Sequence, residues 1–183
     1  VDHFFQDIPG WFDFDDIYAD AVREAVDGSV LVEVGSWLGR SSAFMAVEIK
    51  NSGKRIGFHC VDTWKGSPTE QYHQNEVEQS GGSIRSRFVS NMRGLPVVPI
   101  ESDSALAAER FEDESVDFVF IDASHEYDAV SRDIAAWYPK VQCPRDGADA
   151  ERQEAAPHPR RFFLRGLSRS VRTGSPSRPP RCP

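Results

Sequence analysis

Between Glu33 and Ser42 the chain reads EVGSWLGRSS, which places two glycines and three serine hydroxyls directly behind a carboxylate. Glycines let a ligand approach the backbone, and hydroxyls near a helix N-terminus donate hydrogen bonds, so this segment suits an anionic group. Asp62 follows 29 residues after Glu33, where a carboxylate can accept both hydroxyls of a ribose. Ser102-Asp103-Ser104 and the run from Asp122 to His125 supply two further polar clusters. Each has a plain structural reading as well. Gly35 and Gly39 serve as a tight turn and a helix cap, Asp62 as a solvated strand end, Ser102 to Ser104 as an N-cap, and His125 as a surface or packing histidine. Position is what joins them: each cluster follows a strand signal, and open parallel sheets bind ligands beyond the carboxyl ends of their strands.

The elements that must hold these clusters alternate along the chain. Asp15 to Val26 carries Ile17, Tyr18, Ala21, Val22 and Ala25 at spacings of three and four, which predicts a helix packed by one face. Val30 to Val34 (VLVEV) predicts a strand buried on both sides, followed by a helix over about Arg40 to Lys50. Arg55 to Val61 is a second strand, Val97 to Ile100 a third and Val116 to Ile121 (VDFVFI) a fourth. Ser83 to Met92, Ser104 to Arg110 and Ser124 to Tyr138 read as helices. The polar stretch Asp62 to Gly82 is too long for an ordinary connection and has the character of a lid or binding segment. Strand and helix in alternation predict an α/β fold, a partial doubly wound, Rossmann-like parallel sheet. Right-handed crossovers give the strand order 3-2-1-4.

Composition narrows the partners. The 183 residues carry a net charge of −8 with a pI near 5.1, which argues against a general grip on nucleic acid or on anionic membranes and for a small-molecule partner. Cys60, Cys143 and Cys182 form neither a disulfide framework nor a Cys-x-x-Cys metal site. With no apolar run long enough to span a bilayer and no secretory signal, the expected location is cytoplasmic. Self-association is left open.

The charge is unevenly spread. Residues 143–183 hold nine of the 17 arginines, seven of the 12 prolines and no lysine, and carry +5, leaving −13 on residues 1–142. The sequence therefore divides into an N-terminal segment and helix (1–29), a folded domain (30–142) and an Arg/Pro-rich tail (143–183) expected to be poorly structured. Only Arg161 to Leu167 has apolar character there, and no contribution to the core is expected from the tail.

The segments LVEVGSWLGRSS, FHCVDTWKGSP and FVFIDASHEYDAVSRDIAAWYPKV resemble class I S-adenosylmethionine-dependent methyltransferases, within them the branch of small-molecule and sugar O-methyltransferases. The likeness spans roughly Val30 to Val141. Its Glu-x-Gly-x-x-x-Gly-x-Ser spacing differs from the Gly-x-Gly-x-x-Gly of dinucleotide-binding oxidoreductases and sets a nicotinamide-dependent enzyme second. The resemblance implies transfer of a methyl group from S-adenosylmethionine to a hydroxyl of a small molecule, with sugars among the candidates. By it, Glu33, Gly35, Ser36 and Gly39 hold the methionine portion, Asp62 the ribose, and Asp103 with Ser104 the adenine. Some members bind Mg²⁺ through the Asp at the end of strand four and use a His three residues on as general base, which maps to Asp122 and His125.

This sequence departs from the family after about Gln142. Cys143 to Asp149 lacks the family's Pro-Gly-Gly turn and later acidic pair, and its composition reads as a truncated or out-of-frame end. On that reading strand four becomes an exposed apolar edge, and a catalytically inactive nucleoside-binding remnant stands as the alternative to an enzyme.

Overall fold

Val30–Val34 (β1) is four aliphatic residues around one carboxylate, buried at every position after Val30. A strand this apolar on both sides needs a helical layer on each face, and the fold supplies both. The computed structural model describes residues 1–124 and 126–141, together with the backbone of residues 161–164. In it β1 is flanked by Gly57–Asp62 (β2) on one side and Phe118–Ile121 (β4) on the other, and Val98–Glu101 (β3) lies beyond β2. All pairings are parallel. Glu33 stands opposite Cys60 and Phe120, Val34 opposite Val61 and Ile121, and Asp62 opposite Glu101. The order β3-β2-β1-β4 is the one predicted from crossover handedness, and the alternation of strand and helix is that of an α/β protein.

Two apolar layers follow from the pleat. Leu31, Phe58, Cys60, Phe118 and Phe120 face the helices Asp15–Glu24 (α1), Arg40–Ser52 (α2) and Arg85–Asn91 (α4), meeting Tyr18, Met45 and Phe88. Val32, Val34, Val61, Val119 and Ile121 face Ser104–Ala108 (α5) and Tyr127–Trp137 (α6), where Ala107 and Trp137 close the layer. Burying each such side chain contributes about 1.5–3 kcal/mol. The N-terminal residues belong to the first layer. Phe14 stacks on Phe120 with ring centroids 4.3 Å apart, and Phe12 packs on Phe44 at 5.1 Å.

The structure corrects the sequence reading in two places. Within the stretch expected to be irregular lies a helix, Gln71–Gln79 (α3). Its sequence, QYHQNEVEQ, buries only Val77 and so carries no apolar stripe by which a helix announces itself. The second correction concerns the edge of the sheet. Arg161–Leu164 (β5) pairs in parallel with β4, Phe118 opposite Arg161 and Ile121 opposite Leu164, so β4 is flanked on both sides instead of forming the exposed apolar edge. An unpaired strand presents a row of open N–H and C=O groups, and RFFL is the segment of the tail with aromatic strand formers to meet them. Just upstream, Val116 forms an isolated parallel bridge with Val141. The proposed break in the family pattern at Gln142 lies outside the described residues. Among the described residues no helix is long and apolar enough to cross a membrane.

Candidate functional site

Beyond the carboxyl ends of β1 to β4 the loops enclose a cavity of about 310 Å³. Gly35, Asp62, Asp103, Ser104 and Asp122, five of the residues singled out in the sequence, line it.

Asp62 is the pivot of its floor. One carboxylate oxygen accepts the Trp37 backbone N–H at 2.8 Å and the other the Trp64 backbone N–H at 2.6 Å, which ties the loop after β1 to the loop after β2. The Trp64 indole N–H completes the clasp by donating to the Trp37 carbonyl at 3.0 Å. Both tryptophans take left-handed backbone angles, φ 49° and 52°, a conformation that is unfavourable by about 1–3 kcal/mol for a bulky residue and persists only where surrounding contacts enforce it. Burial pushes the Asp62 carboxyl above its ordinary range, and the N–H donors from Trp37, Trp64 and Ser36 pull the other way. A carboxylate has about four lone-pair sites. With three backbone N–H donors on it, the carboxylate retains capacity for a hydroxyl of a ligand.

Gly35 owes its place to β4. With φ at 93°, it packs so closely under Asp122 that a β-carbon would overlap the Asp122 carbonyl oxygen and sit 2.7 Å from Ala123 Cα. On the opposite rim Asp103 caps α5, accepting the Ala105 N–H at 3.0 Å, and its second oxygen meets the Arg132 guanidinium at 3.3 Å. The Ser104 hydroxyl accepts the Trp137 indole N–H at 3.0 Å.

Three sequence candidates lie elsewhere. Glu33 does not line the cavity; it points into the layer under α1 and α2, where Tyr18 donates to one oxygen at 2.7 Å and Ser42 to the other. The alternation of VLVEV puts Glu33 on the same face as Leu31, towards the helices rather than towards the strand end. Its charge in turn raises the Tyr18 hydroxyl well above the ordinary tyrosine range, after burial as the larger cause. Gly39 caps α2 and faces α4, where a β-carbon would come 2.7 Å from Met92 Cε and 3.0 Å from the Phe88 ring. Ser36 is buried outside the cavity lining, its hydroxyl without a hydrogen-bond partner. His125 lies outside the described residues.

Other lining residues were missed. His73, from α3, stacks on the Trp37 indole at 3.9 Å, accepts the Ser67 N–H on Nδ1 at 3.4 Å and faces Glu70 through Nε2 at 3.4 Å. A single histidine on a helix with one buried apolar residue gives no periodic signal. Asp133 was legible in principle. It stands four residues after Ala129 and four before Trp137, and so shares their face of α6, yet it is a carboxylate only 2% exposed. Its Oδ1 has no hydrogen-bond partner. Burial raises its carboxyl above the ordinary range, opposed by the Ser104 hydroxyl and the Arg132 charge. Among the described residues no group of three or more His, Cys, Asp or Glu converges as a metal site.

A family model described as a methyltransferase domain matches residues 32–145. No curated protein gave a significant match. Among solved structures, the chain is similar to a Corynebacterium glutamicum protein at 14% identity and TM-score 0.44, covering 75% of this chain and 57% of that one. A caffeoyl-CoA O-methyltransferase candidate from Staphylococcus aureus gives 16% identity and TM-score 0.45, with 76% and 57% covered. The S-adenosylhomocysteine-bound methyltransferase of Podospora anserina gives 16% identity and TM-score 0.34, with 71% and 58% covered. The chain thus spans between half and two thirds of the length of these structures.

Proposed function

We propose, since the chain belongs to the methyltransferase-domain family of class I S-adenosylmethionine-dependent methyltransferases, that its cavity binds S-adenosylmethionine and serves methyl transfer to a hydroxyl of a small molecule, sugars among the candidates. The observation that carries the reading is the meeting of Gly35, Asp62, Asp103 and Ser104 in one cavity at the carboxyl edge of the sheet. S-adenosylmethionine, when bound, supplies a methyl on a positive sulfur, so an acceptor oxygen takes the methyl while the carbon–sulfur electron pair stays on sulfur and the hydroxyl proton leaves to a base.

The chain's own residues then divide the work. Gly35 brings bare backbone to the methionine end. Asp62 faces the ribose hydroxyls with its remaining acceptor capacity, and Asp103 with Ser104 borders the adenine. Asp62, Asp103, Asp122, Glu126 and Asp133 make the lining strongly acidic against the single guanidinium of Arg132, which favours a small ligand with positive charge and disfavours nucleic acid. Asp122 and His125, three residues apart after β4, are assigned to the acceptor side, with His125 taking the hydroxyl proton.

Mg²⁺ fits less well. Asp122 is one carboxylate without two further ligands converging on it among the described residues, and Mg²⁺ keeps its waters unless several oxygens meet around it. The test is calorimetry of the full chain with S-adenosylhomocysteine and, in parallel, with NAD. Saturable binding of the first alone supports the reading, and binding of NAD alone replaces it with an oxidoreductase. Methyl transfer from labelled S-adenosylmethionine to a panel of hydroxyl acceptors separates an enzyme from a binding remnant.

A further inference from the structure

Along the wall that His73 and Trp37 give to the cavity, the aromatic surface continues outward. Trp11, from the N-terminal segment, meets Tyr72 edge to face at 5.9 Å, and both pack around His73, at 6.3 Å and 6.1 Å. His73 in turn covers the Trp37 indole at 3.9 Å. The inner pair lines the cavity, whereas the outer pair faces solvent, Trp11 being 59% and Tyr72 46% exposed. Four rings from three separate stretches of chain thus run without a break from the cavity to the surface. Large exposed rings in contact with each other are uncommon away from binding sites, and Trp and Tyr give wide, rigid contact area with few rotors to immobilise.

Most of the polar side chains that flank this wall are already engaged, and within it the Trp37 indole N–H is a buried donor left without a partner. The Gln71 amide donates to Asn75 at 2.8 Å and the Gln74 amide to the Ser67 carbonyl at 2.8 Å. The hydroxyls of Ser67 and Thr69 meet at 2.9 Å, and Glu70 faces His73. A polyhydroxylated sugar would need several free donors and acceptors beside the rings, because each hydroxyl it buries without a partner is unfavourable. A flat aromatic ring needs only the faces and edges on offer.

We propose that Trp11, Tyr72, His73 and Trp37 form the acceptor subsite and that it takes a neutral aromatic ring, whose hydroxyl is thereby held at the mouth of the cavity. The subsite rests on the donor reading for its role in methyl transfer, but its ring binding stands by itself. An anionic ring is disfavoured by the acidic lining beside it, which repels an acceptor carrying a carboxylate.

The experiment is saturation-transfer NMR on the full chain, with catechol and methyl β-glucoside as separate probes, each with and without S-adenosylhomocysteine. Catechol is expected to bind saturably and the glucoside not. Replacing both outer rings, Trp11→Ala with Tyr72→Ala, is expected to weaken catechol about tenfold, the loss of two aromatic contacts, and Trp11→Phe to restore most of it. Calorimetry with S-adenosylhomocysteine on the same variants is expected to change less than twofold, since neither outer ring lines the cavity. Saturable glucoside binding without catechol binding would overturn the aromatic class in favour of a sugar. Catechol binding untouched by the double variant would overturn the subsite, as would loss of self-association in the double variant with no binding of either probe. Failure of S-adenosylhomocysteine to bind, with the catechol result as expected, would refute the donor reading and leave the ring subsite standing.

Discussion

Gly35 and Asp122 touch backbone to backbone across the gap between β1 and β4, with no space for a side chain between them. Gly35→Ala is therefore expected to do more than strain one residue. A positive φ disfavours alanine by roughly 1–2 kcal/mol, and the clash with Asp122 must also part the two strands whose ends frame the cavity. Gly28 provides the control, because it has a similar φ of 93° and nothing within 4 Å of its missing β-carbon. Urea unfolding should show Gly28→Ala losing about the strain alone and Gly35→Ala losing substantially more. Equal losses would mean that the Gly35 contact relaxes.

Asp62 combines a structural with a binding role, and two variants distinguish them. Asp62→Asn keeps one acceptor oxygen but turns an amide N–H₂ towards a backbone N–H, so it should lower stability by about 1–3 kcal/mol. Asp62→Ala leaves the N–H groups of both Trp37 and Trp64 without their acceptor. It should lose most of the affinity for S-adenosylhomocysteine. Calorimetry at a temperature where the variant is still folded checks this, and wild-type affinity in Asp62→Ala would withdraw the ribose assignment.

Glu33 leads to the opposite expectation. Tyr18→Phe strips the donor from one of its buried oxygens and should cost about 1–3 kcal/mol of folding stability, while S-adenosylhomocysteine affinity stays within twofold. A large fall in affinity at unchanged stability would return Glu33 to the binding site.

The raised carboxyl of Asp133 sets a direction for pH dependence. Because burial raises its folded value above the unfolded one, the folded protein holds the proton more tightly, and the group destabilises the fold once pH rises through the folded value. Asp133→Asn should therefore be more stable than wild type at pH 7, with the advantage shrinking as pH falls towards the ordinary carboxylate range. Urea midpoints of both proteins measured from pH 4 to pH 7 test the sign. A variant less stable at pH 7 would show that the carboxylate gains more from Ser104 and Arg132 than burial takes away.

How far this site could be read from the residues depends on what each one packs against. Runs such as VLVEV and FVFI declare buried strands by composition, and crossover handedness then leaves little freedom in their order. Asp62 ends β2, Asp103 lies two residues after β3 and Asp122 directly follows β4, and so their place at the cavity was legible. Glu33 and Gly39 were expected at the site from residue type and family pattern, and the cavity lining includes neither. Their neighbours, Tyr18 and Ser42 for the first and Phe88 and Met92 for the second, come from the helical layer packed on that face of the sheet, a contact that the strand-end position does not announce. Nothing local to QYHQNEVEQ states that His73 will meet Trp37, since that contact is made by a helix with almost no apolar face.

The central place of β1 also has a temporal side. Its pairing with β2 closes a short stretch of chain, but its other flank waits for Phe118–Ile121, with Val30 and Asp117 bonded across 87 positions. Long closures are slow because the chain entropy is lost before the contacts form. During synthesis and refolding, one side of this central strand stays uncovered until the last quarter of the described domain has emerged. Docking of β4 is then the expected slow step, and an interruption before residue 118 would leave β1 as the sticky edge.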